Sequence, residues 1–139
     1  MSPQRNWLLL VLGGVVIPYL CEVIAQILYR ETFDLSVQEG LGGVLWLAAP
    51  FLAVSLALLL ARRALPARRQ NGLFLGALSA LGGWYLFGYF GFEQAMREHK
   101  WTAATLSIAF LPVTCLPALG VGVGLGWFLT RHPSSSEGA

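Results

Sequence analysis

Four long apolar stretches fill most of this 139-residue chain, and they constrain its fold more than anything else in it. Runs of that length with almost no charge are what a hydrocarbon slab about 30 Å thick demands of helices rising about 1.5 Å per residue. The pattern predicts an all-α integral membrane protein, a four-helix bundle with helices over about 7–29, 41–61, 72–92 and 101–130. Residues 1–131 then form one transmembrane domain. The tail 132–139, with Pro133 and the serines Ser134 to Ser136, has nothing to bury and reads as disordered. At 56% hydrophobic and 12% charged, with mean hydropathy +0.65, the chain lies far from the soluble average of roughly 25% charged. Almost every residue is needed to cross the membrane and turn round, so function must sit on the helices, on short loops or on a surface shared with another chain.

The first stretch invites comparison with a signal peptide, since Arg5 precedes it and Cys21 sits where lipoprotein processing would occur. However, Leu20 precedes the cysteine where a small residue would be needed, and no small-x-small cleavage site follows. The run also exceeds the roughly 7–15 residues of a signal core, so it is read as a retained helix. The fourth stretch is longer than a span requires, which implies tilt, a bend at its prolines, or a last turn in the interface.

Basic residues set the orientation, because short loops rich in Arg and Lys resist translocation. Arg62, Arg63, Arg68 and Arg69 crowd the connection between the second and third stretches, Arg5 precedes the first, and Arg131 follows the last. Loop 30–40 sets Glu31, Asp34 and Glu39 against Arg30, while 92–100 balances Glu93 and Glu98 against Arg97 and Lys100. Both termini are therefore expected in the cytoplasm, and the short loops suggest a bacterial inner membrane. Juxtamembrane arginines can also hold anionic lipid headgroups at about 1 kcal/mol each, although topology alone accounts for these four.

Glu22 lies inside the hydrocarbon, roughly 6 Å from the middle of the first stretch. Insertion scales put an acidic residue near a helix centre at about 2.5–3.5 kcal/mol, so such a group faces other helices, pairs, binds an ion or stays protonated. Gly14, Pro18, Glu22 and Gln26 recur every fourth residue and form one stripe. At the same depth come Trp46, Tyr85, Tyr89 and Ser107 to Thr114. The candidate intramembrane polar site is thus Glu22, Gln26, Tyr85, Tyr89 and Thr114. One reading makes Glu22 a proton or cation site; the other makes it a protonated residue that glues helices together.

Each stretch also carries helix breakers: Pro18, Pro50, Gly82 with Gly83, and Pro112 with Pro117. Kinks at Pro18, Pro50, Pro112 and Pro117 at one depth would open a waist, and the freed backbone groups would have to be met by protein or by water in a cavity. Against that, Pro and Gly are frequent in membrane helices generally. Gly120, Gly122, Gly124 and Gly126 make two overlapping small-xxx-small registers, and Gly72, Gly76 and Ala80 make another. Such faces allow close helix packing, within one chain or between copies.

Catalysis has little support, since general acid and base work wants two titratable groups converging and only Glu22 is certainly inside. Cys21 and Cys115 read as small buried residues; neither a Cys-x-x-Cys pair nor a zinc set accompanies them, because His99 and His132 lie outside the slab. No cofactor is implied, and the basic patch faces a membrane rather than nucleic acid. The expected partners are membrane lipid and another membrane protein or copies of the chain. Two functions remain. In the first the protein is non-enzymatic and docks to a partner in the bilayer, as an accessory subunit or an immunity-type protein. In the second it is a small proton- or cation-coupled transporter or channel built around Glu22. Leu12-Gly13-Gly14 followed by Glu22-Val23-Ile24 resembles the opening of the small multidrug resistance transporters, a family with four helices and a membrane Glu in the first. The resemblance covers that helix alone. The glutamate falls about one turn later after the glycine pair, Pro18 intervenes, and the later family motifs are missing, so no family is assigned.

Overall fold

A computed structural model of the protein describes residues 3–30 and 41–131. The acidic loop 31–40 and the tail 132–139 expected to be disordered lie outside the described residues. Those described are helical apart from short turns: α1 (Pro3–Arg30), α2 (Leu41–Ala61), α3 (Ala67–Arg97), α4 (Trp101–Ala109) and α5 (Leu111–Arg131). Four of them, α1, α2, α3 and α5, are long and apolar enough to cross a membrane. The architecture is that of an integral membrane helical protein.

The fourth stretch departs from the single helix expected over 101–130. It divides at Phe110, whose backbone sits at φ −93°, ψ 0°. Pro112 is the cause: it offers no N–H to the carbonyl of Ile108, and its ring crowds that carbonyl. The Phe110 N–H closes α4 on the Leu106 carbonyl at 3.0 Å, while the Phe110 carbonyl accepts from the N–H groups of Val113 (3.0 Å) and Thr114 (2.9 Å) to begin α5. Pro112 therefore stands in the first turn of a new helix, where a missing N–H costs nothing. The Trp46 Nε1–H reaches across from α2 and donates to the Ala109 carbonyl at 2.8 Å, satisfying an oxygen at the break.

α3 is the axis of the bundle. At 31 residues it is about 46 Å long, beyond the 72–92 expected at both ends and longer than a hydrocarbon core, so it tilts or emerges. Gln70 closes the turn before it, its Nε2 donating to the carbonyls of Arg62 (2.9 Å) and Leu65 (2.7 Å). At the far end Lys100 N–H bonds the Ala95 carbonyl and His99 N–H that of Met96, a Schellman closure with His99 left-handed at φ 57°. Lys100 pairs with Glu98 in the same turn and holds that carboxyl below its usual range.

Along α3 the residues Gln70, Phe74, Ala77, Leu81, Tyr85, Tyr89, Phe92 and Glu93 are buried at helical spacing. α3 packs against α5, α1 and α4, and α1 packs on α2. α1 and α3 run parallel, since Asn6 Nδ2 donates to Asn71 Oδ1 at 2.6 Å near their starts, whereas α2 runs back along α1 with Ser55 Oγ donating to the Trp7 carbonyl at 3.0 Å. These registers bring Arg5, Arg62, Arg63, Arg68, Arg69 and Arg131 to one end of the bundle.

The α3–α5 contact is made of backbone. A Cβ added at Gly76 would overlap the Gly122 carbonyl oxygen, one at Gly122 the Gly76 carbonyl oxygen, and one at Gly126 the Gly72 carbonyl oxygen. Gly120 and Gly124, one register round the same helix, meet nothing within 4 Å. The two registers that the sequence offers are thus divided between inside and outside. Gly122→Ala is expected to destabilise the fold by about 2–3 kcal/mol, since backbone cannot give way as a side chain can. Gly120→Ala should be neutral or stabilising by up to about 1 kcal/mol through helix propensity. Unfolding in mixed detergent micelles checks the pair, and equal effects at both positions would refute the packing.

Candidate functional site

The stripe on α1 becomes its buried face: Gly14, Pro18, Glu22 and Gln26 are all buried, joined by Leu10, Cys21 and Ala25. Gly14 lies so close to α2 that a Cβ there would stand 2.9 Å from that of Phe51. Pro18 is inside α1, Pro50 inside α2 and Pro117 inside α5. Glu22 lies about 8 Å beyond the middle of the apolar span Arg5–Leu28 and inside its ends. It is 1% exposed, and Gln26 Nε2, one turn on, donates to its Oε1 at 3.3 Å.

The parallel register of α1 and α3 sets Glu22 at the level of Tyr85 and Gln26 at the level of Tyr89. Besides the Asn6–Asn71 bond, Cys21 Sγ points to the Gly82 carbonyl at 3.9 Å. Tyr85 and Tyr89 are wholly buried. The Tyr85 hydroxyl donates to the Leu47 carbonyl of α2 at 2.5 Å, and its ring meets Phe51 edge-on with centroids 5.3 Å apart. Tyr85 thereby ties α3 to α2 on the side where α1 also packs.

Two expected features fall elsewhere. Thr114 is exposed: its hydroxyl accepts from Trp84 Nε1 at 3.2 Å and donates to the Leu111 carbonyl at 3.3 Å, so it serves the outer seam between α3 and α5. Trp46, placed by sequence at the depth of Glu22, is exposed at the α4–α5 break. Conversely Glu93, placed by sequence in the 92–100 connection, belongs to α3 and is 0% exposed. It follows Tyr89 by four residues and Tyr85 by eight, and that spacing was the available signal. Away from the arginine end, Glu22, Gln26, Tyr85, Tyr89 and Glu93 form a buried polar column along α1 and α3.

Cys21 and Cys115 are buried free thiols, and Cys115 donates to the Pro112 carbonyl at 3.1 Å in the first turn of α5. Among the described residues no group of three His, Cys, Asp or Glu side chains could hold a metal ion. At the arginine end, Arg62, Arg63 and Arg68 are exposed, and the Arg69 guanidinium stands 4.7 Å from the centroid of the Trp127 ring. The chain matches no family model, and neither curated proteins nor solved structures resemble it significantly.

Chemically the column can hold a proton or join helices by hydrogen bonds. Its energetic weight should show by position. Glu22→Ala is expected to cost about 2–4 kcal/mol, combining a cavity with lost hydrogen bonding, and Tyr85→Phe about 1 kcal/mol. Thr114→Val, on the outer seam, should stay within about 1 kcal/mol of the parent. Denaturant titration in mixed micelles reads all three, and a Thr114 effect as large as that at Glu22 would contradict the placement.

Proposed function

We propose that the protein is a non-enzymatic partner of another membrane protein, docking to it helix against helix within the bilayer as an accessory subunit or an immunity-type protein. The observation that carries this reading is the bareness of α5. Only 11% of its membrane window is buried, against 33% for α1, 33% for α2 and 28% for α3. Held along one close seam with α3, this helix keeps a second close-packing register, Gly120 and Gly124, directed away from its own bundle. Lipid gives two helices no hydrophobic drive to associate, so small residues that let backbones meet are the usual means of docking there. The arginine end supports an orientation with both termini in the cytoplasm, and the short connections support a bacterial inner membrane.

The second reading, a small proton- or cation-coupled transporter or channel, draws on a different observation: Glu22 is enclosed with Gln26 in the hydrocarbon rather than placed at its edge. Ionisable groups at such depth accompany ion pathways as well as helix junctions.

Mild-detergent capture of the tagged full chain from its native membrane, with mass spectrometry, separates the two. Docking through α5 predicts a stoichiometric partner that is lost at least tenfold in the Gly120→Ile/Gly124→Ile variant while the melting temperature holds. Undiminished capture by that variant would remove α5 as the docking helix. A chain that carries no partner, and whose proton-linked flux in proteoliposomes vanishes in Glu22→Gln, would establish the transporter instead.

A further inference from the structure

The close approach of α3 and α5 leaves a groove on the outside of their crossing. Its floor is the backbone at Gly76 and Gly122, and its walls are Leu75, Val121, Leu125 and Leu129. The volume is about 730 Å³, inside the roughly 300–1,000 Å³ of ligand clefts. The lining of α5 runs from Ala118 to Thr130, about 18 Å along the axis, and is nearly free of polar atoms. Such a groove suits a flexible hydrocarbon chain that enters sideways from the bilayer.

Its end is not apolar. The groove closes at Gly72 and Thr130, and Arg68 lies one turn before Gly72 on the same face of α3. Arg69 is held over Trp127, bridging the start of α3 and the end of α5, while Arg131 stands about 160° round α5 from Leu129 and faces away from the groove. Among the described residues the acidic side chains are Glu22, Glu93 and Glu98, and none of these stands beside the guanidinium groups. An apolar slot about half a bilayer long, ending beneath a cluster of arginines, has the polarity of one ligand class.

We propose that this groove is a binding site for an anionic phospholipid, with an acyl chain lying between α3 and α5 and the headgroup phosphate held by Arg68 and Arg69. The site lies on the groove side of α5 and does not depend on the docking reading above. Charge supplies selection, since guanidinium groups near a surface favour anionic headgroups, and the groove supplies residence. Neither suffices alone: arginines without the slot would bind any polyanion, and the slot without arginines would take any chain.

Native mass spectrometry of the detergent-solubilised full chain, titrated separately with phosphatidylglycerol, phosphatidylcholine and inorganic phosphate, tests it. The expected result is one phosphatidylglycerol retained at least tenfold more tightly than phosphatidylcholine, with about a fivefold loss for each of Arg68→Gln and Arg69→Gln. Ser79→Phe and Val121→Trp, both exposed positions lining the groove, should fill it and weaken retention by a similar factor at unchanged melting temperature. Equal retention of the two lipids overturns the proposal. So does loss in the arginine variants with full retention in both filled ones, which would reduce the site to surface charge, and so does displacement by equimolar inorganic phosphate, which would make the ligand a free anion.

Discussion

The approach of α3 to α5 through bare backbone is the contact on which the rest of the bundle depends. In a bilayer the surrounding chains are as apolar as leucine, so burying hydrocarbon between helices gains little, and dispersion over a short interaxial distance must do the work. Gly72 and Gly76 facing Gly122 and Gly126 supply that distance. They also fix the axial register of the antiparallel pair, and everything further along α3 inherits it. At Gly88 the missing side chain admits Leu111, so the break at Phe110 falls where α3 can receive the first residue of α5.

On the opposite side of α3 the interface with α1 is made differently. There the buried positions are polar or bulky, with Asn6 on Asn71 near one end and Glu22, Gln26, Tyr85, Tyr89 and Glu93 toward the other. Hydrogen bonds between membrane helices are worth only about 0.6 kcal/mol on average, which is modest glue. What such groups provide is direction: a carboxylate turned toward lipid costs about 2.5–3.5 kcal/mol, so rotation of α1 or α3 about its own axis is opposed wherever Glu22 or Glu93 would be exposed. The bundle therefore takes its register from glycine on one side and its helix facing from buried polarity on the other.

Most of the fold was legible in the sequence because lipid leaves so few solutions. Long uncharged runs must be helices, and Gly14, Pro18, Glu22 and Gln26 at fourfold spacing must share a face. The division at Phe110 was less legible, since a proline can bend a membrane helix or end it, and the choice rested on tertiary partners such as Trp46 on the Ala109 carbonyl. Within the polar site, Tyr85 and Tyr89 were readable from depth. Thr114 misled because depth ignores azimuth, and it sits on the wrong side of α3. Glu93 is harder to place, because a charge near the interface suits solvent while its spacing from Tyr89 suits the buried face. Which of two overlapping glycine registers faces inward could not be read from α5 alone, because it depends on where Gly72 and Gly76 stand on α3.

That last choice gives α5 its character. With Gly122 and Gly126 committed to α3, the same helix presents Gly120 and Gly124 to one neighbour and the slot beside Leu125 to another. Residues 120 and 122 differ by about 200° around the helix, so a docked partner and a groove-bound lipid would occupy separate arcs. Trp127 and Arg131 stand on the partner's arc at the arginine end, where Arg69 of α3 rests on the indole. A headgroup that draws Arg69 toward its phosphate would loosen that stack and change the surface that the end of α5 offers to a neighbour. Lipid and partner would then be coupled through one side chain, by a local exchange of cation contacts and with no need for the bundle to move.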